Sequence, residues 1–147
     1  MRRHLSLIAL LALCFGAALS QAQAADVVYV PKDKVAETMT TPGIMSQDSD
    51  HRVSMSRREG PGQSEIHATE TDVFYVIEGS GTFVTGGTIV GGKTTAPDQI
   101  RGTGIEGGQT RTLSAGDVII IPKGTPHWFK EVPDHVVYFV VKAVTPH

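Results

Sequence analysis

Cysteine is almost absent from this chain, since Cys14 is the only one among 147 residues. It lies in an N-terminal apolar run, so the rest of the sequence offers neither a disulfide framework nor a thiol nucleophile. Basic residues are also few, with 13 against 15 acidic residues and a formal net charge of −2. Because nucleic-acid binding depends on a basic surface, we expect no nucleic-acid partner.

Long apolar runs are limited to the beginning of the chain. Arg2 and Arg3 precede an apolar stretch over residues 5–19, which ends near Ala22-Gln23-Ala24. Basic, apolar and small-residue parts in this order are typical of a secretory signal peptide, with cleavage predicted after Ala24. The alternative is a membrane anchor, but about 15 apolar residues are fewer than the roughly 20 that a spanning helix needs. We therefore predict an exported protein, periplasmic or secreted, without stable membrane insertion.

Helical periodicity is scarce in the remaining sequence, whereas short runs of β-branched and aromatic residues recur between glycines and prolines. This pattern predicts an all-β fold, a sandwich or a barrel, with a single domain. We predict a signal peptide at residues 1–24, an N-terminal strand and arm at 25–52, and one β-barrel domain at 53–147. The arm is expected to contain a strand at residues 27–30 and one helical turn near residues 33–38.

Two further runs carry specific structural expectations. Residues 72–77, the turn Glu78-Gly79-Ser80-Gly81 and residues 82–85 together predict a β-hairpin. The run at residues 136–141 is apolar on both faces, which predicts a strand inside the barrel or one covered by a second subunit. With the strand at 27–30 it could form a homodimer interface, and a packed monomer would explain the same residues.

Glycine is concentrated between Gly86 and Gly108, which hold eight of the 16 glycines. A segment of this length is no tight turn, and such segments in compact domains are often functional. We interpret it as a Gly-rich insertion, either a rim over the barrel mouth or a surface excursion without a chemical role.

Metal-ligating residue types occur in two segments on either side of this insertion. The first segment reads Glu65-x-His67-x4-Asp72-x6-Gly79, and the second reads Gly116-x5-Pro122-x-Gly124-x2-His127-x3-Glu131. Glu65 and His67 are two apart on an expected strand, so their side chains leave the same face. A bend at residues 68–71 is expected to turn Asp72 inward as well.

Imidazole and carboxylate groups suit a divalent transition metal. We predict His67, Asp72 and His127 as metal ligands. Glu65 is a fourth ligand, a catalytic residue that moves protons, or the partner of a basic residue such as Arg57 or Lys123. This donor set favours Fe(II) or Mn(II), with Zn(II) or Ni(II) as alternatives.

The spacing of both segments resembles the two motifs of the cupin family. The resemblance implies a single cupin jelly-roll β-barrel over about residues 53–141, with the Gly-rich insertion between the motifs and the metal held by the ligands named above. The chain differs from the family pattern at three positions, with Glu65 in place of the first His, Asp72 in place of Glu and Glu131 in place of Asn. Cupins that degrade oxalate or oxidise thiols use fuller histidine sets, so neither activity carries over.

The expected ligand is a small molecule. Arg57 shares a strand face with Val53 and Met55, and we predict that it binds an anionic substrate group inside the barrel, the alternative being a solvated strand-end arginine. Phe74 and Phe129 share the inward faces of Asp72 and His127 and are predicted to contact the substrate.

Three functions fit this sequence. The first is a metal-dependent enzyme of the cell envelope, such as a dioxygenase-like oxidoreductase. The second is a non-catalytic protein that binds a small molecule or a metal, and the third is an interaction module with a vestigial pocket.

Overall fold

A computed structural model of the chain describes residues 26–145, so the predicted signal peptide lies outside the described residues. One helix and twelve strands follow one another: α1 Lys32–Thr40, β1 Gly43–Gln47, β2 His51–Arg58, β3 Ser64–His67, β4 Glu70–Thr85, β5 Thr88–Val90, β6 Lys93–Ala96, β7 Gln99–Gly102, β8 Gly104–Glu106, β9 Gln109–Ser114, β10 Val118–Ile121, β11 His127–Glu131 and β12 Val136–Val144. The predicted all-β class is confirmed.

Ten of these strands form one curled antiparallel sheet with β4 at its centre. The strands are ordered β1-β2-β12-β4-β11-β3-β7-β6, and β9 and β10 also pair with β4. The first half of β4 pairs with β10 and β12, and its second half pairs with β9 and β11. Because one long strand belongs to both halves, the sheet curls around a cavity on its concave side.

The hairpin predicted at residues 72–85 is wrong, since β4 runs through its glycines without reversing. Gly79 has a φ of 75°, in the left-handed region that favours glycine. Its partner in β12 is Val136, and the register of the two strands shifts immediately afterwards, between Val137 and Tyr138. The shift leaves Ile77 of β4 without a partner in β12, so β4 has a bulge two residues before the left-handed Gly79, and its two halves join different neighbours.

The N-terminal strand predicted at residues 27–30 is also wrong, because these residues belong to no strand. Val27 and Tyr29 are 95% and 82% exposed. A β-prone run forms a strand only where it can pair and pack, and this run does neither. The helical turn predicted near residues 33–38 is present as the longer helix α1. β1, inside the predicted arm, pairs with β2 and extends the main sheet.

The apolar strand β12 lies within the sheet, between β2 and β4. Val136 and Val137 are fully buried inside the chain, so burial by a second subunit is not needed to explain them. The homodimer stays a prediction. In the part of the chain that the structure describes, no helix has the length and apolarity to cross a membrane.

The Gly-rich insertion forms the four short strands β5 to β8. β5 and β8 pair with each other, whereas β6 pairs with β7 and β7 pairs with β3. The insertion therefore extends the sheet directly beside the strand that carries Glu65 and His67.

Candidate metal centre

Cross-strand register brings the two sequence segments to one place on the concave side of the sheet. β11 pairs with β3 so that His127 lies opposite Glu65. On its other side, β3 pairs with β7 so that Glu65 lies opposite Arg101 and His67 lies opposite Gln99. Side chains that are directly opposed in an antiparallel ladder are close neighbours. Residues far apart in the sequence thus become adjacent.

Two imidazole nitrogens and one carboxylate oxygen converge at this place. The ligand atoms of Glu65, His67 and His127 all lie within 4.8 Å of one another. His67 Nε2 is 3.4 Å from Glu65 Oε2, and the centroids of the two imidazole rings are 5.1 Å apart. The side chains of His67 and Glu65 are only 5% and 15% exposed. A set of donors that converge in a shielded place is what a divalent ion requires.

The other nitrogen of each imidazole is held by a hydrogen-bond acceptor. His67 Nδ1 lies 2.9 Å from Gln99 Oε1, and His127 Nδ1 lies 3.0 Å from the carbonyl oxygen of Thr125. Since these oxygens only accept, Nδ1 carries the proton in both rings and the Nε2 lone pairs are free for a metal. Burial lowers the pKa of His127, which keeps the ring neutral at neutral pH.

Glu65 is held as a carboxylate. Its Oε1 forms an ion pair with Arg101 Nη1 at 3.1 Å, while its Oε2 faces His67. Burial alone would raise the pKa of Glu65, but the neighbouring His67 and the charge of Arg101 lower it to about 2. A carboxylate with so low a pKa is a weak base, which favours Glu65 as a ligand over Glu65 as a proton-transferring residue. Its basic partner is Arg101, and not Arg57 or Lys123 as the sequence suggested.

Asp72 lies beside the same nitrogens, but a buried lysine occupies its oxygens. Asp72 Oδ2 is 3.5 Å from His67 Nε2 and 3.7 Å from His127 Nε2. Lys142, the β12 residue opposite Asp72, donates from Nζ to Oδ1 at 2.7 Å and to Oδ2 at 2.9 Å. An ammonium and a metal ion compete for the same carboxylate. Arg101 approaches Glu65 at Oε1, whereas Glu65 Oε2 faces His67 Nε2 at 3.4 Å, so Oε2 is the more available oxygen.

The sequence that contains this site matches a known protein family. The cupin profile, described as "Cupin", matches residues 45–147. This chain belongs to the cupin family. No curated protein sequence matches it.

Solved structures with the same fold are distant in sequence. BH2720 from Bacillus halodurans is 16% identical with a TM-score of 0.56, and the match covers 81% of this chain and 83% of that one. TT1209 from Thermus thermophilus is 17% identical with a TM-score of 0.51, covering 71% and 83%. The cupin domain of Schizosaccharomyces pombe Cnp3 is 10% identical with a TM-score of 0.51, covering 71% and 60%. These likenesses show the fold alone, and they confirm the predicted jelly-roll.

The donors of this cupin border a cavity of about 250 Å³. Phe74 and Phe129, the two predicted substrate contacts, both line it, and Phe83 and Tyr138 complete an aromatic wall. Phe74 and Tyr138 pack with ring centroids 4.9 Å apart, and Phe83 and Phe129 pack at 4.6 Å. The cavity therefore offers an apolar surface next to the metal donors.

The predicted facing of Arg57 is wrong. Arg57 is exposed, donates from Nε to Glu59 at 2.9 Å, and does not line the cavity. The prediction assumed that Val53 and Met55 mark the inner face of β2. The inner face is instead the polar one, while Val53 borders an apolar crevice on the other side, next to Val35 of α1.

Sequence reasoning missed several side chains that line or support the site, among them Arg52, Arg58, Gln99, Arg101 and Lys142. Lys142 gave a signal, because it is a charged residue inside an apolar strand, where a lysine needs a buried partner. Gln99 and Arg101 alternate within the insertion, but its many glycines obscured the strand that carries them.

Proposed function

We propose that this cupin is exported, binds one divalent transition metal through Glu65, His67 and His127, and acts as a metal-dependent enzyme on a small molecule. The observation that carries the proposal is the convergence of two Nε2 lone pairs and Glu65 Oε2, with both Nδ1 atoms already held by acceptors. The apolar N-terminal pattern up to Ala24 supports export.

The donor set fits a divalent ion of intermediate hardness, with Fe(II) or Mn(II) favoured and Zn(II) or Ni(II) as alternatives. When bound, such an ion supplies a Lewis acid that polarises a substrate or interacts with dioxygen. The chain's own residues hold the site ready for it. Gln99 and Thr125 orient the imidazoles, Arg101 keeps Glu65 ionised, and the aromatic wall offers the substrate an apolar surface.

Metal analysis of a matched pair of double variants tests the proposal. In His67→Ala/His127→Ala, bound metal and any turnover should be lost, whereas the wild type should carry about one ion per chain. The control His51→Ala/His135→Ala removes two histidines that do not line the cavity and should keep wild-type metal content. Elemental analysis of protein purified without an affinity tag or added metal gives the result. Equal metal content in the two double variants would end the proposal.

A non-catalytic binding protein is the second candidate, and the state of the carboxylates favours it. Among the described residues, the only carboxylates and histidines that line the cavity are Glu65, Asp72, His67 and His127. Glu65 is a weak base and Asp72 is paired with Lys142, so no free general base faces the cavity. Oxygen-consumption and product measurements on metal-replete protein with a small-molecule panel separate the candidates. Saturable binding without product favours the second.

A further inference from the structure

The cavity next to the metal donors holds more positive charge than its own carboxylates neutralise. Four cationic side chains and two carboxylates line it: Arg52, Arg58, Arg101 and Lys142, with Glu65 and Asp72. Arg101 pairs with Glu65, and Lys142 pairs with Asp72. Among residues 26–145, no carboxylate lies within ion-pair distance of Arg52 or Arg58. Two guanidinium groups thus face the cavity without a partner of opposite charge.

Arg58 is held in a fixed orientation by the core. Its Nε donates to the hydroxyl oxygen of Tyr138 at 3.0 Å, and its Cζ lies 5.5 Å from the ring centroid of Phe129. Tyr138 and Phe129 are only 4% and 3% exposed, so both supports are rigid. In the described part of the chain, the two terminal amino groups of Arg58 have no hydrogen-bond partner. They are available to donate side by side to an anion.

The inner face of β2 extends this donor group along the cavity. Every second residue of a strand points to the same side, so Arg52, Ser54, Ser56 and Arg58 form one row. All four line the cavity. Arg52 also interacts electrostatically with Glu70. The carboxylate of Glu70 is already paired with Lys142, with Nζ 2.9 Å from Oε2. The row combines two cationic groups with two hydroxyl donors between them.

We propose that this row, which we call the β2 anion site, binds the carboxylate of a small organic acid. The planar end of Arg58 offers two parallel N–H donors, which match the two oxygens of a carboxylate. Phe129 and Phe74 offer an apolar surface for the body of the molecule, and the cavity volume of about 250 Å³ keeps that body small. This inference rests on the proposed function, because a carboxylate ligand at the β2 anion site would lie in the same cavity as the metal donors.

Benzoate is a suitable probe, because it joins a carboxylate to a small apolar body, and benzamide is its neutral analogue. We expect calorimetric titration of the purified protein to show saturable benzoate binding, with benzamide at least ten-fold weaker. Arg58→Gln should weaken benzoate binding at least ten-fold, about 1.4 kcal/mol. The control Arg57→Gln removes the same charge from the neighbouring residue on the opposite face, and should stay within about two-fold of wild type.

A second variant keeps the test decisive if Arg58→Gln fails to fold. The side chain of Arg52 has no hydrogen bond or ring contact among residues 26–145, so Arg52→Gln should fold normally and still weaken benzoate binding several-fold. The β2 anion site is refuted if benzoate binds folded Arg58→Gln as it binds wild type, or, where Arg58→Gln does not fold, if benzoate binds Arg52→Gln as it binds wild type. It is also refuted if benzamide binds as tightly as benzoate. Inorganic phosphate that binds more tightly than benzoate, and through Arg58, would overturn the assignment to a carboxylate.

Titrations of both the metal-free and the Mn(II)-loaded protein separate this inference from the proposed function. A chain that takes up no metal but loses benzoate binding in Arg58→Gln keeps the β2 anion site and refutes the metal function. A chain that binds Mn(II) through His67 and His127 but shows no Arg58-dependent benzoate binding keeps the metal function and refutes the β2 anion site.

Discussion

At the scale of single residues, Lys142 has the greatest effect on what this cupin pocket can bind. The family pattern gives the position of Asp72 to a metal ligand, and here the Lys142 ammonium holds both oxygens of that carboxylate. Glu65, where the pattern has the first histidine, has one oxygen that faces His67, while Arg101 approaches the other. In the proposed metal site the two departures compensate each other, because the oxygen donor moves from one strand to the next while two imidazoles remain.

Removal of Lys142 should destabilise the fold strongly. Lys142 and Asp72 are 7% and 1% exposed, so Lys142→Met leaves a buried carboxylate without its partner. A cost of about 3–5 kcal/mol in the free energy of unfolding is expected. Urea denaturation measures it, with Lys130→Met as control, because Lys130 is exposed and should change stability by less than about 0.5 kcal/mol.

The double variant Lys142→Met/Asp72→Asn tests the physical reason for that loss. If the unpaired charge is the cause, removal of the charge on Asp72 should restore part of the lost stability, and the two substitutions should be far from additive. Strict additivity would show that Lys142 contributes through packing alone.

Residue-level reasoning from sequence was sound where it depended on local spacing. Glu65 and His67 share a face because a strand alternates, and the bend after His67 does bring Asp72 to the same nitrogens. It failed for Arg57, because alternation on β2 shows that two faces differ but not which face lies inward. The polar face of β2 lines the cavity, and its apolar face is covered on the other side of the sheet. The apolar side chains therefore led to a prediction for Arg57, whereas Arg58 is the one of the two that lines the cavity.

At the scale of elements, β4 determines the curl of the sheet and Gly79 determines the path of β4. The backbone of Gly79 is left-handed, and an added Cβ would lie 2.0 Å from the carbonyl oxygen of His135. A larger residue at position 79 would have a strained backbone conformation and would overlap His135 unless the backbone moved. The sequence Gly-Ser-Gly predicts a turn equally well, so the choice between a reversal and a bend depended on which strands were available to pair.

Gly79→Ala should therefore cost more stability than an alanine at another left-handed glycine. Gly86 provides the control, because its φ is 72° and nothing lies within 4 Å of an added Cβ. Gly86→Ala should cost about 1–2 kcal/mol from conformation alone. Gly79→Ala should cost clearly more, because the overlap with His135 is added to the same conformational cost. Thermal and urea unfolding measure both, and equal losses would show that the bulge relaxes freely.

The sequence could not predict side-chain contacts that depend on strand register. His67 and Gln99 are 32 positions apart, and Asp72 and Lys142 are 70 positions apart. No local period encodes such a distance, because pairing is decided by the arrangement of the entire sheet. The candidate ligands could be named from motif spacing, whereas the residues that orient and neutralise them appeared only with the ladder of β3, β7 and β12.

At the scale of the whole molecule, the absence of cysteine after residue 24 fits the predicted destination. A fold stabilised by a curled sheet and an aromatic core has no thiol that an oxidising compartment could alter. Folding and metal uptake can therefore take place after export without redox chemistry in the chain itself. We predict that the N-terminal segment alone sets the location of the protein.

Export should be visible as a loss of mass. Expression of the full-length chain in a bacterial host with a periplasm should yield a periplasmic protein that begins at Ala25, detected by intact mass spectrometry of each cell fraction. Leu11→Arg places a charge inside the apolar run and should leave a longer, uncleaved chain in the cytoplasm. Gln47→Arg introduces the same side chain at an exposed position of β1 and should be exported like wild type. An uncleaved wild-type chain in the membrane fraction would contradict the prediction and identify the segment as an anchor.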